Sequence, residues 1–239
     1  MIDSPPVVTE FGRRLERLGW VTDLLVAGSV ATGDYRPGIS DLDLVALADG
    51  PVSAARRDQL AALHRELDAG AGAGLDLGCV YVDAGAAGEV DRRHPTWTHG
   101  ALVDRILSLI TRAELVLHGY AAFGRPPAAV FPAMTGDDIR AAARAELTGY
   151  WAWAARRPLL WLDPVIAELG LTSMARGRFA LRHGALLTKS DAIEQAAAPE
   201  WLRDQLRARR RGDQVASPRL RTAVIAWRDC RRTVAGARD

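Results

Sequence analysis

A glycine–serine turn followed by two aspartates in a strand constrains this chain more than any other stretch. Leu24-Leu25-Val26-Ala27 leads directly into Gly28-Ser29, a pattern that indicates a buried strand ending in a tight turn. The run from Asp41 to Leu47 predicts the next strand. Because side chains alternate along a strand, Asp41 and Asp43 share one face. The sequence thus predicts two successive strands that bring a turn and two carboxylates together.

Paired carboxylates beside a glycine turn indicate a particular chemistry. Two acidic side chains on one face need a cation, and hard oxygen ligands favour Mg²⁺. The turn lets backbone N–H groups and the Ser29 hydroxyl approach a phosphate. An isolated Asp-x-Asp more often caps a strand or faces solvent, but the turn and its spacing favour a site here. We therefore predict that Asp41 and Asp43 are metal ligands. A nucleoside triphosphate would contact Gly28, Ser29 and Ser40.

A third acid stands near the start of the apolar run from 75 to 82. Asp76 is the one charged residue in that run. A charge near the start of a buried strand is unfavourable unless something pairs with it, and a metal beside Asp41 and Asp43 would do so. The alternative is that Asp76 is the exposed end of a strand. We predict that it is a third carboxylate at the metal site.

These residues resemble a known signature. Gly28-Ser29 followed by Ser40-Asp41-Leu42-Asp43-Leu44-Val45 is similar to the pattern of the polymerase-β-type nucleotidyltransferase superfamily. The resemblance implies that Asp41 and Asp43 bind one or two Mg²⁺ ions. It also implies that Asp76 completes the metal site or acts as general base.

The second half of the chain resembles one branch of that superfamily. Residues 118–151, and the segment from Arg176 to Lys189, are similar to aminoglycoside adenylyltransferases of the streptomycin/spectinomycin type. In that family the matching arginine and lysine bind the phosphates of the nucleotide, and Lys189 is the single lysine among 31 basic residues. The resemblance implies transfer of AMP from ATP to a hydroxyl of an aminoglycoside-type antibiotic, and hence antibiotic resistance.

Residues that bind the acceptor follow less directly. A polycationic acceptor favours acidic neighbours, and Glu146, Asp163 and Glu168 are candidates. Trp161 is a candidate wall of the pocket, since ligand pockets are enriched in aromatic side chains. Arg156-Arg157 favours a different acceptor, so the acceptor stays open.

Composition limits the other possible functions. With 49% hydrophobic and 25% charged residues, the 239-residue chain is typical of a soluble globular protein, and its N-terminus predicts a cytoplasmic location. No apolar run reaches the ~18 residues of a membrane helix. The net charge of +2 does not favour nucleic-acid binding. Two alternatives remain: a nucleotidyltransferase that modifies a protein, as in toxin–antitoxin systems, and a non-catalytic nucleic-acid binder using the arginines between 203 and 211.

The order of elements predicts the fold class. We expect an α/β nucleotidyltransferase domain over 1–131, with a mixed twisted sheet and flanking helices, followed by an all-α helical bundle over 132–239. The pattern also predicts a helix over 97–109 and a strand over 114–118. In the bundle it predicts five helices, with Gly170 and Gly184 as helix ends and Ser190 as an N-cap. They span 137–154, 159–169, 172–187, 191–211 and 219–234.

Overall fold

The computed structural model describes residues 4–238, which form two compact units divided after Ala133. The predicted boundary at residue 131 falls in the same connecting segment. The first unit combines a sheet with helices, and the second is helical. The predicted fold class is confirmed.

The first unit contains six strands and four helices among its described residues. In chain order they are α1 Pro6–Glu16, β1 Val21–Val26, α2 Gly28–Ala31, β2 Leu42–Ala48, α3 Ala54–Ala69, β3 Leu77–Asp83, β4 Arg93–Thr98, β5 Ala101–Ile106, α4 Leu109–His118 and β6 Tyr120–Phe123. Short 3₁₀ turns lie at Ala84–Ala86 and Pro127–Ala129.

The six strands form one mixed sheet in the order β5-β4-β3-β2-β1-β6. Only β2 and β3 are parallel among the pairs described, and α3 connects them; the other pairs are antiparallel. A parallel pair needs such a crossover, whereas a two-residue turn suffices to join β4 and β5. Among the predicted carboxylates, Asp43 lies on β2, and Asp41 and Asp76 directly precede β2 and β3.

Each face of the sheet has its own apolar cluster. Leu42, Leu44 and Cys79 face α1 and α3, and with them form the larger cluster. The alternate residues Val45 and Leu47 face the side where Leu115 of α4 packs. We call these the α3 face and the α4 face. Since alternation places Asp43 with Val45, the carboxylate belongs to the α4 face.

The β4–β5 hairpin was wrongly predicted as a helix. Residues 101–106 are almost all exposed because β5 is the edge of the sheet, so they lack the strict alternation of a half-buried strand. His99 and Gly100 join the strands with positive φ angles of 48° and 73°, as a type I′ turn requires. The predicted strand at 114–118 was also wrong: this apolar run is the C-terminal half of α4.

The helical unit contains six α-helices among its described residues. They are α5 Gly136–Glu146, α6 Ala152–Ala155, α7 Pro164–His183, α8 Lys189–Glu194, α9 Glu200–Arg210 and α10 Arg219–Gly236. A π-helical segment, Leu147–Trp151, joins α5 to α6, and a 3₁₀ segment, Pro158–Leu162, precedes α7. No described helix is long and apolar enough to cross a membrane.

Three details of the predicted bundle were wrong. Gly170 does not end a helix; it lies inside α7, where a β-carbon would stand 2.3 Å from Trp161 Cζ3. The N-cap of α8 is Thr188, which accepts the N–H of Asp191, and Ser190 is the second residue of the helix. The long helix expected after Asp191 divides into α8 and α9, with Pro199 as the N-cap of α9.

Candidate functional site

The turn after β1 packs directly against Asp43. Gly28 has a φ of +58°, and a β-carbon there would lie 2.1 Å from Asp43 Oδ2. Ala27 donates its N–H to the Asp43 carbonyl at 2.9 Å, which holds the end of β1 beside β2. The structure thus brings the glycine turn and one predicted metal ligand into contact. Glycine is required at position 28 because any side chain would occupy the space of the carboxylate.

The two serines of the site differ in their hydrogen bonds. Ser29 Oγ is buried and has no hydrogen-bond partner among the described residues. A buried hydroxyl without a partner is unfavourable, so its position favours a ligand that supplies an acceptor. Ser40 is buried as well, but its hydroxyl accepts the N–H of Arg36 at 3.0 Å. Ser40 therefore stabilises the loop before β2.

The strand register places Asp41 and Asp76 next to each other. Leu42 pairs with Leu77, and Leu42 donates its N–H to the Asp76 carbonyl at 2.8 Å. Residues one position earlier, Asp41 and Asp76, therefore stand side by side at the start of the parallel pair and share the α4 face with Asp43. All three carboxylates are exposed. The expectation that Asp76 is a buried charge was wrong, because it precedes β3.

The donor set fits a hard cation. Within residues 4–238, no group of three or more His, Cys, Asp or Glu side chains could hold a metal ion by itself. Mg²⁺ does not require such a cage, since it is usually bound by one or two carboxylates together with substrate phosphates and water. Asp41 and Asp43 offer that number of carboxylates, next to a turn whose Ser29 hydroxyl has no partner among the described residues.

Arg176 and Lys189 both belong to the helical unit. Arg176 lies in α7 and donates from Nε to the carbonyl of Leu187 at 2.9 Å. Lys189 is the first residue of α8 and is half-buried, and no described residue forms an ion pair or hydrogen bond with its ammonium group. The Arg176 contact brings the α7 arginine next to the segment that leads into Lys189.

The predicted acceptor residues separate into different roles. Trp161 was wrongly predicted as a pocket wall: it is 1% exposed and donates from Nε1 to the Ala154 carbonyl, so it belongs to the core. Asp163 caps α7 by accepting the N–H of Val165. Glu168 is paired with Arg209 at 2.8 Å. Glu146 is exposed at the end of α5, beside the π-helical segment.

The arginines of α9 do not form an open basic surface. Arg207 is paired with Glu194, Glu200 and Asp204, and Arg203 is paired with Glu200. These acids neutralise the positive charge that phosphate binding would require. The nucleic-acid alternative therefore loses its main support.

Sequence reasoning missed one acidic residue near the carboxylates. Asp68, near the end of α3, accepts the indole N–H of Trp97 at 3.2 Å. Burial raises the pKa of Asp68, the Trp97 hydrogen bond opposes that change, and the negative charge of Asp76 raises the pKa further. Nothing in the sequence around residue 68 indicates this position. The proximity of Asp68 to Asp76 depends on how the loop from 70 to 76 folds, which the local pattern does not show.

Comparisons with known proteins bear on the first unit and on the fold. Residues 8–81 match the family described as Nucleotidyltransferase domain, a range that includes Gly28, Asp43 and Asp76. The solved structure of spectinomycin adenyltransferase AAD(9) from Enterococcus faecialis, with ATP and spectinomycin, has a TM-score of 0.73 and 12% identity. The match covers 96% of this chain and 99% of that chain, and at this identity it shows a shared fold.

Two further comparisons add little. The solved E. coli MS115-1 CdnC:HORMA-deltaN complex matches with 13% identity over 80% of this chain and 64% of that chain. Its TM-score of 0.27 is too low to support an argument. No curated protein matches the sequence.

Proposed function

We propose that this chain, an enzyme built on a nucleotidyltransferase domain, transfers AMP from ATP to a hydroxyl group of a small-molecule acceptor. The observation that carries the proposal is the contact between Gly28 and Asp43 beside the unpartnered Ser29 hydroxyl. Gly28 leaves room for the Asp43 carboxylate beside it, and the Ser29 hydroxyl has no partner among the described residues. This arrangement suits the binding of a metal-bound phosphate.

In this proposal the chain's residues divide into phosphate binding and metal binding. Ser29 donates its hydroxyl to a phosphate oxygen, and the backbone of the turn at Gly28 approaches the phosphate. The resemblance assigns Arg176 and Lys189 to the phosphates as well, with Ser40 supporting the loop. Asp41 and Asp43 would hold Mg²⁺, which when bound neutralises charge on the phosphate oxygens.

Asp76 is proposed as the general base. Its place beside Asp41 suits a carboxylate that takes the proton from the acceptor hydroxyl. The acceptor oxygen then forms a bond to the α-phosphorus as the bond from that phosphorus to the bridging oxygen breaks. Pyrophosphate leaves, and the acceptor carries AMP.

The proposed acceptor is an aminoglycoside-type antibiotic. AAD(9), which shares the fold, was solved with ATP and spectinomycin, and the sequence resemblance points to the same class. Expression of the chain would then confer resistance to the drug it adenylylates. Both cysteines are free and buried, which suits a reducing cytoplasm where ATP is available.

The test determines which product receives each labelled phosphate of ATP. Purified enzyme is incubated with Mg²⁺ and ATP labelled at the α- or the γ-phosphate, together with a panel that includes streptomycin and spectinomycin. We expect label from the α-phosphate in the drug and label from the γ-phosphate in pyrophosphate. Asp43→Asn is the catalytic variant, and Asp58→Asn, an exposed change on α3, is its control.

The outcomes separate the parts of the proposal. Transfer of α-label that is lost only in Asp43→Asn supports the reaction and identifies the acceptor. Transfer of γ-label to the drug would show phosphoryl transfer and contradict the proposal. Nucleotide binding with no transfer to any drug would contradict the aminoglycoside acceptor alone.

A further inference from the structure

A cavity of about 190 Å³ lies on the α4 face of the sheet, beside Asp43. Val80 and Thr96, which pair with each other on β3 and β4, line it from the sheet. Ser108 and Thr111 line it from the start of α4. Sites for whole drug-sized ligands are about 300–1,000 Å³, so this cavity has room for one part of an acceptor, such as a single ring.

The cavity extends from Asp43 in the direction away from the proposed phosphate site. Ser29 follows β1, Asp43 lies on β2, and the cavity continues over β3 and β4 to β5, in the spatial order of the sheet. Gly78 lines it and lies two residues after Asp76, on the same face by alternation. In an in-line displacement, the attacking oxygen enters opposite the leaving pyrophosphate. With the phosphates bound beside Ser29, the acceptor hydroxyl therefore approaches from this cavity.

Arg105 is the charged side chain that the cavity offers to an acceptor. It pairs with His94 across the β4–β5 hairpin and so shares the α4 face with Thr96. Arg105 is exposed, and no ion pair or side-chain hydrogen bond within residues 4–238 involves its guanidinium group. Asp43 is the other charged residue among those that line the cavity, and the proposed function assigns its carboxylate to the metal. The acceptor therefore meets one positive charge that has no partner in the described part of the chain.

Hydroxyl groups line the cavity beside Arg105. Ser108 Oγ and Thr111 Oγ1 are hydrogen-bonded to each other at 2.9 Å, and this pair keeps one O–H that can donate to a ligand. Thr98 adds a further hydroxyl. A hydroxyl both donates and accepts, and a guanidinium group donates two parallel hydrogen bonds to neighbouring oxygens. This set of groups suits two neighbouring hydroxyls of a sugar or cyclitol ring, whereas the charge of Arg105 would repel an ammonium group at the same place.

We infer that this cavity binds a neutral diol of the acceptor through Arg105, and that AMP is transferred to a ring hydroxyl flanked by hydroxyl groups rather than by amino groups. The inference rests on the proposed function for the location of the phosphates. It makes Arg105 a residue that determines which hydroxyl is modified, and it leaves the ammonium groups of an aminoglycoside-type acceptor outside the cavity.

The experiment measures binding to enzyme saturated with Mg²⁺ and a non-hydrolysable ATP analogue. Binding of the analogue is measured first; if it does not bind, the proposed function fails and this inference fails with it. The probes are myo-inositol, a neutral cyclitol, and 2-deoxystreptamine, a cyclitol with two amino groups. Isothermal titration gives the dissociation constant of each.

Arg105→Gln is the informative variant because it removes the charge and keeps a polar side chain on an exposed edge strand. Arg65→Gln, at an exposed position of α3, removes the same charge elsewhere and serves as control. We expect wild type and Arg65→Gln to bind myo-inositol about tenfold more tightly than 2-deoxystreptamine, because the guanidinium group binds the diol and repels the ammonium groups. Arg105→Gln should lose this preference and bind the ATP analogue unchanged.

Three results would overturn the inference while leaving the proposed function intact. One is analogue binding with no preference for myo-inositol in wild type. Another is a preference that survives in Arg105→Gln. The third comes from NMR of any adenylylated drug, and it is AMP attached to a hydroxyl whose neighbouring carbons carry amino groups.

Discussion

The Oδ2 atom of Asp43 stands 2.1 Å from the point where a β-carbon on residue 28 would lie. The Asp43 carboxylate therefore occupies the space that a side chain at position 28 would need. A larger residue at position 28 would displace this carboxylate. This contact joins the end of β1 to β2 at the place where the phosphates and the metal are proposed to bind. It also explains why a glycine and an aspartate so far apart in sequence belong to one motif.

Gly28→Ala should abolish nucleotidyl transfer. The new methyl group displaces the Asp43 carboxylate, and position 28 also has a positive φ. Gly33→Ala is the control, because Gly33 has a φ of +73° and no atom within 4 Å of the added β-carbon. We expect Gly33→Ala to lower the free energy of unfolding by about 1 kcal/mol with activity retained. Equal activities of the two variants would contradict the proposed role of the contact.

Ser29→Ala should separate binding from stability. Its hydroxyl has no partner among the described residues, so we expect the free energy of unfolding to change by less than about 0.5 kcal/mol. The KM for ATP should rise about tenfold, as expected for a lost hydrogen bond to a charged group. Ser53→Ala should do the reverse: it loses the N-cap of α3, about 1 kcal/mol, with KM unchanged. Chemical denaturation and initial rates measure both effects.

His64 should make stability depend on pH. Burial lowers the pKa of His64 to about 3 from an ordinary value of 6.5. Below pH 6.5 the unfolded chain binds a proton that the folded chain does not, so stability falls by about 1.4 kcal/mol per pH unit down to about pH 3. His64→Gln can keep a polar contact with the Tyr81 hydroxyl, which lies 2.7 Å from Nε2.

Urea unfolding at pH 6.5 and pH 5.0 tests this effect. Between these values His64→Gln should lose about 2 kcal/mol less stability than wild type, because one titrating group has been removed. His94, whose pKa is also lowered by burial, is present in both proteins and cancels in the comparison. The same pH slope in wild type and variant would rule out the buried neutral histidine.

The ion pair between Asp23 and Arg125 should stabilise the first unit above the ordinary pKa of aspartate. Asp23 is 1% exposed and accepts from Arg125 Nη2 at 2.7 Å and Nε at 3.0 Å. Burial raises the pKa of Asp23, but the hydrogen bonds from Arg125 and Thr22 outweigh it and the net pKa is lowered. The stabilisation is therefore present above pH 3.8, the ordinary value, and is lost as the pH falls below it.

Arg125→Met tests this ion pair. Because half of the Arg125 side chain is exposed, we expect a loss of about 2 kcal/mol at pH 7, below the usual value for a fully buried pair. The difference from wild type should shrink as the pH approaches 3. Arg13→Met, which removes a surface pair with Glu10, should leave stability almost unchanged at both pH values. A pH-independent loss in Arg125→Met would indicate packing instead.

The sequence indicated the first half of the site well. The apolar run before Gly28 and the alternation around Asp43 are local patterns, and the strands they predict are those of the structure. The edge strand β5 was not predicted because its residues are almost all exposed and therefore show no alternation of apolar and polar side chains. Likewise, a glycine is needed at position 170 because Trp161 packs against it. Sequence alone cannot distinguish such a glycine from one that ends a helix.

Long-range contacts were out of reach for a similar reason. The pairing of Glu168 with Arg209, and the approach of Asp68 to Asp76, join residues through folded loops and helices. The residues that flank these side chains in sequence show no pattern that indicates either contact. The candidate acceptor residues of the bundle were therefore predicted from charge alone, and Trp161 proved to be a core residue.

The most direct test of the account is the binding of Mg-ATP, measured by isothermal titration in wild type and in Asp43→Asn. The amide keeps the size of the carboxylate beside Gly28 but removes the charge that would hold the metal. We predict that wild type binds ATP only with Mg²⁺ present and that Asp43→Asn weakens this binding at least tenfold. ATP affinity that is equal in the two proteins, or independent of Mg²⁺, would contradict the assignment of this site.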